Sequence, residues 1–294
     1  MTGQVLQRKQ AALVKSLLEL SIPAQFVSAS GALITVPIKA KTFLRHLVRK
    51  LWPVLLAGGC RLTGSCAGLV ALGQRSRRIG DIDVTILVSD EVDLGQVFFH
   101  EQNILRELAG LPGKELEAQL LDSIRVSNET DCWSLFSFGK VGCPGARHLD
   151  VRVAKRMSRS YVFSCDSLEV VIDPLLVQGV AEQRMLLFSR WGDCAEALDD
   201  LRAKRLVMPE PQTVRGGLLR YCLALCRGFQ MPDADQRASV ERALVANFMS
   251  EFKSPDHVKN TIRRTALRHS DGANEASLRE QLTSVISRTL PTLL

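Results

Sequence analysis

Asp81 and Asp83 flank Ile82 at the head of the apolar run Val84-Thr85-Ile86-Leu87-Val88, and Asp150 lies inside a second run, Leu149-Asp150-Val151-Arg152-Val153. Side chains of a strand alternate between its faces, so Asp81 and Asp83 point the same way. If the strand carrying Asp150 pairs beside theirs, three carboxylates converge. Anionic groups crowded together repel one another unless a cation lies between them. Mg²⁺ suits that place, because it takes oxygen ligands and commonly shares them with substrate phosphates. Upstream, Gly64 and Ser65 stand in Arg61-Leu62-Thr63-Gly64-Ser65-Cys66-Ala67-Gly68. A helix starting there would turn backbone N–H groups and a hydroxyl toward phosphates. A metal ion, phosphates and an incoming hydroxyl together suggest nucleotidyl transfer. Each signal alone is weak: a lone Asp-x-Asp more often flanks a strand in solvent, and Ser is a common helix N-cap.

The elements that must hold these residues follow from periodicity. Apolar residues at helical spacing predict a helix over 5–20 and an amphipathic one over 40–52, with Phe43, Leu44, Leu47, Val48 and Leu51 on one side. Residues 31–37, bounded by Gly31 and Pro37, read as a short strand. The small apolar residues of 64–73 suit a helix packed closely on a sheet. Residues 81–88 are the clearest strand, and 97–108 a helix. Residues 115–126 read as a helix leading into a strand. The alternation Ser134-Leu135-Phe136-Ser137-Phe138 is a strand, 140–146 a turn, and 148–153 the return strand of a hairpin. Leu168, Val170 and Ile172 share one face of a further strand. Beyond Asp173 the pattern is helical, over 195–206, 213–228, 235–252, 256–268 and 276–290. The expected class is α+β, with a mixed-sheet catalytic domain over 1–190. A helical domain over 191–294 follows it.

With 294 residues, 46% of them hydrophobic, the chain can bury the cores of one large or two modest domains. No run approaches the ~20 apolar residues of a membrane-spanning helix. The net charge of +7 weakly favours a polyanionic partner. The eight cysteines include no C-x-x-C pair, and the five histidines are not spaced to complete a zinc site. Reduced thiols and an intracellular setting, cytoplasmic or nuclear, are therefore expected. Arg75, Arg77 and Arg78 fall in a turn beside the first two carboxylates, well placed to meet RNA phosphates. Lys259, Arg263, Arg264 and Arg268 make a basic stripe at helical spacing, which is RNA-binding or simply a solvated face. Aromatic residues are only 5%, so base stacking can supply little affinity, and a protein partner supplying RNA affinity is expected.

Several of these stretches resemble the DNA polymerase β-like nucleotidyltransferase superfamily, and more narrowly the terminal nucleotidyltransferase 5 family of poly(A) polymerases. Leu62-Thr63-Gly64-Ser65 is similar to the family's Leu-Asn-Gly-Ser, and Gly80-Asp81-Ile82-Asp83 to its Lys-Asp-Leu-Asp. Asn128-Glu129-Thr130-Asp131-Cys132-Trp133-Ser134-Leu135 is similar to Asn-Asp-Ser-Asp-Arg-Trp-Ser-Leu. Val214-Arg215-Gly216-Gly217-Leu218-Leu219-Arg220-Tyr221-Cys222, followed by Arg227-Gly228-Phe229, is similar to Ile-Arg-Gly-Gly-Gly-Leu-Leu-Lys-Tyr-Cys and then Arg-Gly-Phe. The chain departs from that pattern in having Asp150 where the family usually has Glu, Arg220 for a Lys, and one glycine fewer before Leu218.

The resemblance implies a polymerase β-like fold and transfer of AMP from ATP to RNA 3′ ends. It implies that Asp81, Asp83 and Asp150 hold two Mg²⁺ (or Mn²⁺) ions, with Asp150 nearest the attacking hydroxyl. It further implies that Gly64 and Ser65 bind the β and γ phosphates, and that Arg220 meets the triphosphate. For Tyr221 it implies base stacking, against which core packing stands as an equal alternative. Two rivals remain at this point: a nucleotidyltransferase acting on a small molecule, and an inactive scaffold that binds protein or RNA.

Overall fold

The computed structural model describes residues 3–28, 30–74, 81–111, 117–140, 147–157, 168–177, 184–189, 193–206, 217–231, 233–250, 260 and 275–289. Their contacts divide into two compact units, one running to Cys194 and the other taking in the residues from Ala195 onward.

The first unit is built on β1 (Gln4–Val5), α1 (Arg8–Leu18), β2 (Ser21–Val27), β3 (Leu33–Lys39), α2 (Ala40–Leu51), β4 (Leu55–Thr63) and α3 (Gly64–Ala71). It continues with β5 (Asp81–Val88), α4 (Leu94–Leu108), β6 (Glu117–Ser127), β7 (Cys132–Gly139), β8 (His148–Arg156), β9 (Leu168–Val171), α5 (Asp173–Leu176) and β10 (Leu186–Ser189). The strands form one ten-stranded sheet in the order β1-β10-β9-β4-β5-β8-β7-β6-β2-β3. Among the described residues β5 and β8 run parallel, while their outer neighbours β4 and β7 pair with them antiparallel. The sheet is therefore mixed, and with the helices after it the chain is α+β.

Alternation in β7 shows how the sequence sorts the two faces. Phe136 and Phe138 are buried, and the Phe43 ring of α2 lies 6.1 Å from the first and 5.0 Å from the second, centroid to centroid. Phe98 of α4 meets Phe136 from another side, at 5.9 Å. The apolar stripe of α2, from Phe43 to Leu51, is likewise buried. Helices α2 and α4 thus meet one face of the sheet, and the residues between the phenylalanines are left to the other face.

One expectation is corrected, and two strands, β2 and β4, stand where the spacing predicts none. Residues 117–127 form a strand throughout, so the expected strand begins earlier and takes in its expected helical lead: β6 pairs with β7 from Leu120 to Ser127 and with β2 at its other edge. Glu117-Ala118-Gln119-Leu120-Leu121 has helical composition, but two flanking strands offer it ladder hydrogen bonds, and tertiary pairing overrides local propensity. Strand β2 carries Pro23 and pairs it with Pro37 of β3, at the sheet's edge where proline is tolerated. Its Ile22, Ala24 and Phe26 are buried in alternation. Strand β4 changes register between Leu55 and Cys60, where Gly58 takes a φ of +64°, so its pattern is broken in the sequence. The helix expected over 256–268 and the turn over 140–146 lie almost wholly outside the described residues.

The second unit contains most of α6 (Cys194–Arg202), then α7 (Gly217–Cys226), α8 (Ala234–Ser250) and α9 (Glu275–Thr289). The described cysteines, Cys60, Cys66, Cys132, Cys194, Cys222 and Cys226, are all free thiols. No described helix is long and apolar enough to cross a membrane.

Helix α4 buries Glu101, which is 1% exposed and has neither carboxylate oxygen hydrogen-bonded. Burial pushes its pKa well above the ordinary value of 4.5. The folded chain keeps this proton while the unfolded chain releases it, so stability falls as pH rises from that ordinary value toward the raised one. Each unit of upward shift is worth ~1.4 kcal/mol. Glu101→Gln should therefore match the parent near pH 4 and melt at a higher temperature at pH 7 to 8, as read by thermal unfolding across that range.

Candidate active site

The parallel pairing of β5 and β8 aligns Asp81 with His148 and Asp83 with Asp150. On the outer side of β8, β7 aligns Ser137 with Asp150 and Gly139 with His148. On the outer side of β5, Thr63 of β4 aligns with Asp83. Aligned residues of neighbouring strands share a face. Asp81, Asp83, His148, Asp150 and Ser137 therefore stand together, while Ile82, Val84, Leu149, Val151, Phe136 and Phe138 are buried on the reverse side.

Helix α3 begins at this edge. Thr63 leaves β4 extended, with φ −128° and ψ −174°, and Gly64 then turns the chain with φ +62°. Three bonds tie the first turn of the helix to β5. The Thr63 hydroxyl donates to the Asp83 carbonyl (3.4 Å), the Ser65 hydroxyl to Asp81 Oδ1 (3.4 Å), and the Cys66 thiol to the Asp81 carbonyl (3.1 Å). Gly64 has two reasons to be glycine. Its φ is costly for any residue with a Cβ, and an added Cβ would collide with Asp83 Oδ2, lying only 3.2 Å from Cγ.

Each of the three carboxylates is turned toward a local partner. Asp81 accepts from Ser65, Asp150 Oδ1 accepts a short hydrogen bond from the Ser137 hydroxyl, and Asp83 Oδ2 lies against Gly64. No three described His, Cys, Asp or Glu side chains stand close enough to enclose a metal ion as they are placed. The donor set still fits a divalent cation. Asp83 and Asp150 face each other across adjacent strands ~4.8 Å apart, with Asp81 about 7 Å along β5, so that side-chain rotation can bring their oxygens toward one ion. The cradle at Gly64 keeps the space beside Asp83 free of a side chain.

His148 and Ser137 were not among the residues singled out from the sequence. His148 is 4% exposed and its Nε2 lies 3.9 Å from Asp150 Oδ1. The signal for His148 was its place two residues before Asp150 on one strand, and that for Ser137 its place in the Ser-Leu-Phe-Ser-Phe alternation, decisive only once the register of the hairpin is known.

The remaining sequence candidates divide differently. Arg75, Arg77, Arg78, Lys259 and Arg263 lie outside the described residues, and so do Arg264 and Arg268. Arg220 belongs to α7, but its side chain lies outside what is described. Tyr221 is fully buried, and its hydroxyl donates to Glu241 Oε1 of α8 at 2.7 Å. That carboxylate also pairs with Arg237 (3.0 Å) and with Arg288 of α9 (2.9 Å). Burial works to raise the Glu241 pKa, but hydrogen bonds from Arg288, Tyr221 and Arg237 overcome it and hold the group below its ordinary value. Tyr221 is thus a core residue that joins α7 to α8, and its ring offers no face to a base. Tyr221→Phe should lower stability by about 1 kcal/mol. Nucleotidyl transfer, measured alongside thermal unfolding, should stay within about twofold of the parent.

Comparison with known proteins identifies the family. The sequence profile of a family described as Nucleotidyltransferase matches residues 6–290. Terminal nucleotidyltransferase 5B of Bos taurus is 28% identical over 240 residues, covering 74% of this chain and 55% of that protein. Terminal nucleotidyltransferase 5D of Homo sapiens is 24% identical over 249 residues, covering 77% and 63% respectively. Terminal nucleotidyltransferase 5C of Mus musculus is 27% identical over 213 residues, covering 65% and 54%. The chain thus spans little more than half the length of these relatives. The structure of a CCA-adding enzyme in an apo form aligns with 86% of this chain and 52% of that one, at 13% identity and a TM-score of 0.44. A profile match from residue 6 to residue 290, over a strand pair that sets three carboxylates beside a glycine-started helix, means that the chain belongs to the nucleotidyltransferase family.

Proposed function

We propose that this nucleotidyltransferase adds nucleotides, AMP from ATP in the first place, to RNA 3′ ends without a template. The observation that carries the reading is the register of β5 on β8, which puts Asp83 beside Asp150 with Asp81 on the same face. Divalent cations held by these carboxylates would stabilise charge at the α-phosphate and lower the pKa of the attacking 3′-hydroxyl. The chain's own residues supply position. The first turn of α3, fixed to β5 through Thr63, Ser65 and Cys66, presents the Gly64 backbone and the Ser65 hydroxyl to the β and γ phosphates. Ser137 engages Asp150 Oδ1, which leaves Oδ2 to accept the proton of the 3′-hydroxyl. The 3′-oxygen then bonds to the α-phosphorus as the bond to pyrophosphate breaks. Arg220, by its place in the family motif, would meet the triphosphate. The similarity to terminal nucleotidyltransferases supports addition at a chain end, and the motifs that resemble poly(A) polymerases favour RNA as acceptor and ATP as donor.

Primer extension tests this directly. An oligo(A) RNA is offered with Mg²⁺ or Mn²⁺ and each nucleoside triphosphate separately. A ladder with ATP is the expected result. A ladder with another nucleotide would keep the mechanism and change the specificity. No ladder with any nucleotide, together with no binding of ATP, would overturn the reading in favour of a scaffold.

A further inference from the structure

The carboxylates leave His148 without a task. Its side chain is 5% exposed, and Nε2 has no hydrogen-bond partner. Buried polar atoms are nearly always paired, so an orphaned ring nitrogen in a polar patch calls for an explanation. The atom lies 3.9 Å from Asp150 Oδ1. That is too long for a hydrogen bond but within the span of two ligands each ~2.2 Å from one ion. The backbone places His148 deliberately. It is opposite Asp81 in the parallel ladder and two residues before Asp150 on the same face. With Asp83 these residues make a two-by-two array of donors, about 5 Å across the strands and about 7 Å along them. On its other side stands Gly139, with φ +131°, whose Cβ would fall 2.6 Å from His148 Cα, so β7 approaches here with bare backbone.

Resting on the reading of Asp81, Asp83 and Asp150 as cation ligands, we propose that His148 lends a ring nitrogen to the same divalent ion, and that the site therefore prefers Mn²⁺ to Mg²⁺. Mg²⁺ demands a near-ideal shell of oxygens and gives up water reluctantly. An imidazole suits a transition metal, and the three accompanying carboxylates suit Mn²⁺.

The test uses the full chain and Mn²⁺ alone, without nucleotide, so that no base nitrogen is present. Mn²⁺ binding is titrated by electron paramagnetic resonance, and spin-echo modulation reports whether a ¹⁴N nucleus is bonded to the ion. The parent should show ¹⁴N modulation and bind Mn²⁺ more tightly than Mg²⁺ in competition. His148→Asn and His148→Gln, checked for folding by circular dichroism, should lose that modulation and about tenfold or more of the Mn²⁺ affinity. Their Mg²⁺ affinity should change by less than about twofold. Bound Mn²⁺ without ¹⁴N modulation in the parent would overturn the role of His148 and leave the carboxylate reading standing. If the parent binds neither ion, the carboxylate reading falls as well.

Discussion

Replacing Asp81 and Asp83 together by Ala should lower nucleotidyl transfer about a thousandfold, which corresponds to ~4 kcal/mol of transition-state stabilisation. Both side chains leave β5 on the face shared with Asp150, so the double change removes two of the three carboxylates proposed to hold the ion while the strand's buried residues, Ile82, Val84 and Ile86, stay in place. The fold should survive. Thermal stability should hold or rise, because the crowded like charges of the parent are relieved. Primer extension and thermal unfolding on the same preparation separate loss of chemistry from loss of structure. Activity within about tenfold of the parent, ~1.4 kcal/mol, would remove these aspartates from the chemistry.

The second large effect is expected at Gly64, where one methyl group is enough. Gly64→Ala meets a φ of +62°, which should cost ~1–2 kcal/mol of stability. It also drives a Cβ into the Asp83 carboxylate. Displacing a reacting group by about 1 Å can cost on the order of a hundredfold in rate, and a loss of that size is expected here. Gly73 provides the control. It has the same φ of +62°, but an added Cβ would meet nothing within 4 Å. Gly73→Ala should therefore share the loss of stability and keep the activity. Equal losses of activity in the two variants would trace the Gly64 effect to backbone strain in general, with no special bearing on Asp83.

The legible part of the sequence is the part where periodicity and chemistry agree. The buried stripe of α2, the alternation of β5 and β7 and the place of Asp150 in a strand all follow from apolar spacing. Where local composition and tertiary pairing disagree, composition misleads. Leu120 and Leu121 sit in a helix-like stretch that two neighbouring strands hold extended, and Pro23 and Pro37 disguise a hairpin at the edge of the sheet. The proposed site divides the same way. The three aspartates are visible as motifs, but that Asp150 and His148 face Asp83 and Asp81, and that Ser137 faces Asp150, depends on register, since a slip of one residue reverses the face. Tyr221 shows the converse. Its neighbour in a family motif suggested a nucleotide contact, yet the hydroxyl that makes tyrosine distinctive is engaged with the buried Glu241.

The parallel step between β5 and β8 also bears on how the protein comes into being. A parallel pair cannot be closed by a tight turn. Here the chain travels out through α4, β6 and β7 before β8 returns to lie against β5. Asp81 and Asp83 therefore leave the ribosome well ahead of Asp150, and the third carboxylate joins them only after an antiparallel excursion has folded. Such long-range closure is the slow kind. Nascent or truncated chains that end before β8 carry two of the three acids and none of the paired register, so catalytic competence should arrive late and all at once, a marker that the centre of the sheet is finished.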